Sequence, residues 1–298
     1  MQTPGAMTAF DLSIILAEAT DHPELDATLA SIEAACAGIA AEVLVVRPGG
    51  RAPLRASQAV TLREITVDDA TLVPVRWGHG VRAAQAPVFG CLTTEFTVNG
   101  EWARALLAAV AGGATGAAGA IELAPHAGMT STATYLVRFS AYMPRPGREA
   151  RTTSQMPGDT AGYQRDAVIA SADLLADGFW EVEFHRRFLA DGRRLVAIAI
   201  PLAKFNSSRS LSASLLLRFR HGREFGITRV VRHRHNRAVL VLGAPLVSVV
   251  LATRIVRRAL RSPGAWRLLL RAFPAVALMS AAWAAGEARG AWSAGRGR

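Results

Sequence analysis

The sequence predicts an α/β fold with a mainly parallel sheet, followed by a basic helical tail. Short apolar runs alternate with helical patterns through the first two-thirds of the chain, as strand–helix units do. Apolar residues make up 51% of the 298 residues and charged residues 19%, which excludes a disordered chain and leaves length for one large core or two small ones. Charge is divided unevenly. From Arg229 to Arg298 there are thirteen Arg, no Lys and one acid, Glu287, so the tail carries about +12 and residues 1–228 about −1.

Residues 11–16 (DLSIIL) read as a buried opening strand. Residues 23–38 read as a helix: Pro23 suits its first turn, and Leu25, Leu29, Ile32 and Cys36 share one face. Residues 41–46 (AEVLVV) form a second strand, stopped by Pro48-Gly49-Gly50. Residues 62–66 and 72–76 are strand-like, and 87–92 (PVFGCL) form another buried strand ending at Thr93-Thr94-Glu95-Phe96. A helix follows over 100–111, and the Gly/Ala-rich 112–120 reads as a turn into the next strand; without a Gly-Lys-Ser/Thr sequence it is not a phosphate loop. The polar, Pro/Gly-rich 144–158 reads as an exposed loop over the active face, with helices at 165–176 and 179–191. Ligands of such sheets lie beyond the carboxyl ends of the strands, here 17–20, 47–50 and 93–96.

Cys36 and Cys91 are isolated in small or apolar runs and are expected to be buried free thiols, in keeping with a reducing compartment. The N-terminus shows no basic, long-apolar leader, so the body is expected in the cytoplasm. The tail holds two uncharged apolar runs, 238–253 and 272–286, bordered by Arg. Both fall short of the roughly 20 residues of a spanning helix. A tight hairpin, a pair of interfacial helices and a buried helical subdomain all fit this pattern. Arg beside apolar runs, without interleaved stacking aromatics, points to a membrane surface and away from nucleic acid.

Two acidic groups could carry chemistry: Glu95 at a strand tip, and Glu181 with Glu183 in Phe179-Trp180-Glu181-Val182-Glu183-Phe184-His185. A strand-tip carboxylate can hold a divalent metal against a diphosphate, and a carboxylate elsewhere in the cleft can deprotonate a hydroxyl.

The order of these pieces resembles the inverting family 2 glycosyltransferases with the GT-A fold. Ser13–Glu18 with Leu25, Leu29 and Ile32 resembles their first strand and helix. Gly80-Val81, Ala84, Val88–Leu92 and Thr93-Thr94-Glu95 fall where that family has a Gly…Ala stretch, a strand and its Asp-x-Asp metal motif, with Trp102 at its following aromatic. Pro157–Arg165 resembles the acceptor-side segment, Trp180–Phe184 with Leu189 and Gly192 the segment bearing the base, and Arg218–Arg223 with Arg229 the basic segment beyond. The resemblance spans roughly residues 11–230. Thr93 stands where the family has its first metal Asp, Arg47-Pro48 replaces the Asp after the second strand, and the acidic pair is split by Val182.

The resemblance implies a Rossmann-like mixed sheet flanked by helices over residues 8–230, with a membrane-associated tail over 231–298. It implies transfer of a sugar (the hexosyltransferase class) from a nucleotide-diphosphate donor, with inversion. Donor contacts would come from Ala17, Glu18, Arg47, Thr93, Thr94, Arg223 and Arg229. Glu95 would hold Mg²⁺ or Mn²⁺. Glu181, which directly follows Trp180, or Glu183 would be the base, and Asp159, Tyr163 and Trp180 would contact the acceptor, although Tyr163 fits the core equally well. Joined to the basic tail, this suggests a membrane-linked sugar or envelope polysaccharide as acceptor, at the cytoplasmic face of the membrane. The incomplete metal motif also leaves a degenerate, non-catalytic nucleotide-binding homologue at the membrane as the alternative.

Overall fold

A computed structural model describes residues 10–18, 24–145, 147, 149–231 and 233–294. The chain divides into one unit of Met1–Glu122 with Pro146–Phe205 and a second of Leu123–Arg145 with Asn206–Arg298.

The first unit is a mixed α/β layer structure. Its strands are β1 (Leu12–Ala17), β2 (Ala41–Pro48), β3 (Thr61–Val67), β4 (Val88–Thr93), β5 (Phe96–Val98), β6 (Gly116–Leu123), β7 (Arg151–Thr152), β8 (Gly162–Gln164) and β9 (Leu195–Phe205). They form one sheet in the order β3-β2-β1-β4-β8-β6-β9-β5, with β7 on β9. β3-β2-β1-β4 is parallel, and β4 then pairs antiparallel with β8. β1, β2 and β4 are buried at every position, as strands covered on both faces must be, whereas edge strand β3 is partly exposed throughout.

The helices of this unit supply the crossovers. α1 (Leu25–Ala35) buries Leu29 and Ile32 as the periodicity predicts; Pro23 lies outside the described residues. Residues 72–76, expected as strand-like, instead open helix α2 (Val73–Ala83). A parallel strand pair needs a long crossover between β3 and β4, and Pro74 is favourable in a helix's first turn, so topology overrides the β-branched valines. Gly80 is required here, because a Cβ would stand inside the side chain of Ile15 on β1. α3 (Trp102–Ala111) follows β5 as expected. The turn expected over 112–120 ends at Thr115, and β6 begins at Gly116, where a Cβ would strike Met156 and Tyr163. α5 (Arg165–Ile169), α6 (Ala172–Leu175) and α7 (Glu181–Ala190) occupy the two predicted helical stretches. Both cysteines are free and buried, and desolvation lifts the Cys36 thiol to about 11.

The second unit is helical. It contains α4 (Met129–Phe139), α8 (Leu211–Val231), α9 (Arg237–Leu242), α10 (Ala244–Ala259) and α11 (Ala265–Ser293), with α11 packed against the other four. The domain boundary expected at residue 230 is therefore corrected to 205/206, with α4 added from mid-chain. The reason is the α8–α11 contact. Gly222 and Gly226 of α8 face the Trp283 and Glu287 carbonyls, and Gly286 and Gly290 of α11 face the Phe219 and Arg223 carbonyls, too close for any Cβ. Small residues at a four-residue spacing let the two backbones touch, so α8 folds with the tail. The run 238–253 breaks at Gly243 into α9 and α10, whereas 272–286 lies inside α11. Among the described residues α11 alone is long and apolar enough to cross a membrane, by length and composition.

Candidate active site

The parallel register aligns the strand tips. Ala17 pairs with Val46 on one side and Thr93 on the other, so β1, β2 and β4 end on one edge. Just beyond Ala17, the Glu18 N–H donates to the Val46 carbonyl at 3.0 Å. The Glu18 carboxylate lies 3.8 Å from Arg47 and 3.6 Å from Arg51, and Arg47 donates to Glu64 at 2.7 Å and to the Ala52 carbonyl at 2.8 Å. Arg47 is buried, yet its Nε and one Glu18 oxygen find no hydrogen-bond partner among the described residues. Arg76 of α2, which the sequence did not flag, ties the edge together. It is fully buried and donates to the carbonyls of Thr71 and Asp69, each at 2.9 Å, and to that of Glu18. Desolvation pushes its pKa down, and Asp69 and Glu18 oppose that.

Next to this network is a cleft of about 540 Å³ at the carboxyl ends of β2 and β3, lined by Pro48, Gly49, Thr66, Asp68, Asp69 and His79 among others. Its size is that of a small-ligand site, and its position is the one open α/β sheets use for ligands.

A second group gathers at the tip of β4. The ladder Val88↔Gln164, Phe89↔Tyr163, Gly90↔Gly162 continues with the Cys91 N–H donating to the Ala161 carbonyl at 2.9 Å. Before Ala161 the chain leaves the ladder in a turn, in which the Thr160 and Ala161 N–H groups donate to the Gly158 carbonyl at 3.0 and 3.4 Å. The indole of Trp102 donates to the Thr160 carbonyl at 2.9 Å and its ring fills the space left by Gly90. The hydroxyls of Thr93 and Thr160 are buried, and neither has a hydrogen-bond partner among the described residues. Glu181, first residue of α7, packs over Gly158, where an added Cβ would come 2.9 Å from its Cγ. Burial lifts the Cys91 thiol well above its usual range, and the charges of Glu181 and Asp159 lift it further.

The other expected residues divide. Glu95 is buried with Thr94 in the turn after β4, which Thr28 of α1 holds by donating to the Phe96 carbonyl at 2.9 Å. Glu183 is paired with Arg186 at 2.8 Å on the same helix, apart from Glu181's contact with Gly158. Trp180 is half-buried and its indole donates to the Asp177 carbonyl at 3.0 Å. Tyr163, expected either to touch an acceptor or to be core, lies in the core. It is fully buried, stacked 5.5 Å from Phe89, and its hydroxyl meets His185 Nε2 at 3.0 Å. Burial pushes His185 down to about 4, so it is neutral at physiological pH. Arg223 and Arg229 belong to the helical unit. The Arg229 guanidinium is paired with the buried Glu287 of α11. Arg223 lies 3.5 Å from Glu224 in an exposed pair. Among the described residues no three His, Cys, Asp or Glu side chains are grouped so as to hold a metal ion.

These features define a mixed α/β protein with polar groups and a cleft at the carboxyl edge of its parallel strands. No family model matches the chain, and no curated protein matches it. Among solved structures it is similar to S. aureus TarS 1–349, crystallised in complex with UDP-GlcNAc, at 8% identity and a TM-score of 0.49, over 91% of this chain and 90% of that one.

Proposed function

We propose that this chain is a glycosyltransferase that moves a sugar, with inversion, from a nucleoside-diphosphate donor to an acceptor held at the cytoplasmic face of the cell membrane. The observation that carries this reading is the packing of Glu181 over Gly158, the chain neighbour of Asp159, on the same sheet edge as the β2–β3 cleft. In this reading the nucleoside enters the cleft, beside the Glu18–Arg47 network, and the diphosphate lies along the tips of β1 and β4 over Ala17, Thr93 and Thr94. Glu181 takes the proton of the attacking hydroxyl. Asp159 orients the acceptor or the transferred sugar. Trp180 supplies an apolar face beside them, and Glu183, tied to Arg186, stays outside the chemistry.

The implied cofactor is Mg²⁺ or Mn²⁺. The Glu95 carboxylate and the Thr93 hydroxyl, which has no hydrogen-bond partner among the described residues, are hard oxygen donors, which suits such an ion, and as no three acids or imidazoles are grouped among the described residues, the diphosphate would complete its shell. The bound metal would offset the charge that builds on the leaving diphosphate.

The test is thermal stabilisation of the full chain by UDP-, GDP- and ADP-sugars, UDP-GlcNAc among them, with and without Mg²⁺ or Mn²⁺, followed by transfer to extracted membrane acceptors. Stabilisation by one class and turnover of it is the expected result; no stabilisation by any of them rejects the reading. Thr93 in place of a carboxylate favours one second reading, a non-catalytic nucleotide-binding homologue, and binding without turnover on any acceptor would select it.

A further inference from the structure

The exterior of the helical unit carries one sign of side-chain charge along the tail. Of residues 229–298 the one acid, Glu287, is 3% exposed and paired with Arg229. No Asp or Glu of this stretch faces solvent, whereas Arg254, Arg257, Arg261, Arg267 and Arg271 all do. Among these arginines stand large apolar side chains that the unit leaves uncovered. Leu242 (82% exposed), Leu246 and Val249 line α9 and α10, and Trp266, Leu270 (72%) and Phe273 line the first half of α11. Single exposed leucines are ordinary, but six large apolar side chains on connected helices mark an interaction surface.

The charge pattern selects the occupant. A second copy of the same face would set arginine against arginine. An anionic lipid surface answers both components, because phosphates take the guanidinium groups and the acyl boundary takes the leucines and aromatics. The packing also sets the mode of contact. The inner face of α11, including Ala272, Val276, Met279 and Ala284, is buried within the unit. Its packing partners α4, α8 and α10 carry Arg138, Arg218, Arg220, Arg223 and Arg254. Arg218 itself lies 4.3 Å from the Trp283 ring. A span of about 20 residues would take most of α11 into hydrocarbon, and these cations would go with it at heavy cost.

We propose that the outer face of α9, α10 and the first half of α11 is an in-plane docking surface for anionic phospholipid, a monotopic contact and not a transmembrane anchor. It rests on the membrane-associated acceptor proposed above for its purpose, and its test uses neither donor nor acceptor, so failure of the transferase reading leaves it standing.

The experiment is co-sedimentation of the full chain with vesicles of pure phosphatidylcholine or of phosphatidylcholine with phosphatidylglycerol. Binding to the anionic vesicles is expected, weakening as salt rises. Each of Arg257→Ser, Arg261→Ser and Arg267→Ser should weaken it by about fivefold. The triple variant Leu242→Ser, Leu246→Ser, Leu270→Ser should weaken it by about a hundredfold or more. All six positions are exposed, and unchanged thermal midpoints will verify folding. Equal binding to both vesicle types overturns the proposal, as does wild-type binding by these variants. So does a stable dimer, dissolved by the leucine variant, that fails to bind vesicles. Alkaline carbonate should release the bound protein; a carbonate-resistant, protease-protected α11 fragment would establish a span and reject the in-plane mode.

Discussion

Replacing Gly290 by Ala tests whether the α8–α11 contact holds the tail together. Helix propensity alone favours the change, since Ala is better than Gly by about 0.8–1 kcal/mol inside a helix. The structure demands the opposite sign. A Cβ on Gly290 would stand within van der Waals contact of the Arg223 carbonyl oxygen and close to that residue's carbonyl carbon and Cα, 2.8 and 3.0 Å away. These are backbone atoms and cannot rotate aside, so the helices must part by about 1 Å. A gap of that size forfeits a quarter to a half of each affected contact, and overpacking a tight interface typically costs about 1–3 kcal/mol. With the upper end of that range set against the propensity gain, the net is about 2 kcal/mol of destabilisation. For a unit of this size that lowers the thermal midpoint by roughly 6–10 °C. The matched control is Ala281→Gly on the exposed side of the same helix, expected to cost about 1 kcal/mol by propensity alone. Circular dichroism melts of the full chain and both variants provide the measurement. A Gly290→Ala protein as stable as wild type, or more so, would show that the backbones do not touch as described.

Glu181→Gln should lower turnover by about 10²–10⁴-fold with donor affinity unchanged, whereas Glu183→Gln should be nearly normal; steady-state kinetics beside donor titration reads this, and the reverse pattern assigns the base to Glu183. Glu95→Gln should weaken nucleotide binding in the presence of Mg²⁺ or Mn²⁺ and leave metal-free binding alone, which calorimetry with and without chelator will show; equal affinity in both forms removes Glu95 from the site. His185 is held neutral by burial with a folded pKa of about 4 against 6.5 for the exposed group. The unfolded chain therefore binds the proton first, so stability is intact above about pH 6.5 and falls as pH drops toward 4, by about 3 kcal/mol at most. Urea midpoints across that range should show the slope, and His185→Phe should flatten it.

The parallel half of the sheet was legible because its strands are buried on both faces. DLSIIL, AEVLVV and PVFGCL are continuous apolar runs with Gly, Pro or polar stops, and no helical face fits them. Residues 72–76 misled because Val73 and Val75 favour strands locally, while the need for a crossover helix between β3 and β4 is set by pairing far away in sequence. β9 and α4 went unmarked for related reasons. LVAIAIPLAKF carries an internal Pro201, which argues against a strand until its place among the antiparallel strands is seen, and α4 is rich in Thr and Ser, weak helix formers stabilised by packing in the helical unit.

The candidate site was legible by type of residue and less so by partner. Spacing along the chain brought out Glu181 and Glu183 together, because two carboxylates two residues apart look alike in sequence. Only the fold separates them: Arg186 lies one turn beyond Glu183 and ties it down, while Glu181 sits at the helix start over Gly158, a position that any larger residue at 158 would block. The same logic applies to Tyr163 and Arg229. A tyrosine in a segment that resembles the family's acceptor side fits substrate contact or core alike, and the Phe89↔Tyr163 pairing turns its ring into the core, where a buried hydroxyl needs a partner and finds His185. An arginine after a basic segment suggests phosphate, but the tail's one carboxylate is buried 58 residues away in sequence and would be left unpaired in a low-dielectric interior without it. In each case a buried polar group recruits its partner from a distant element, a demand that the local sequence around either residue does not express.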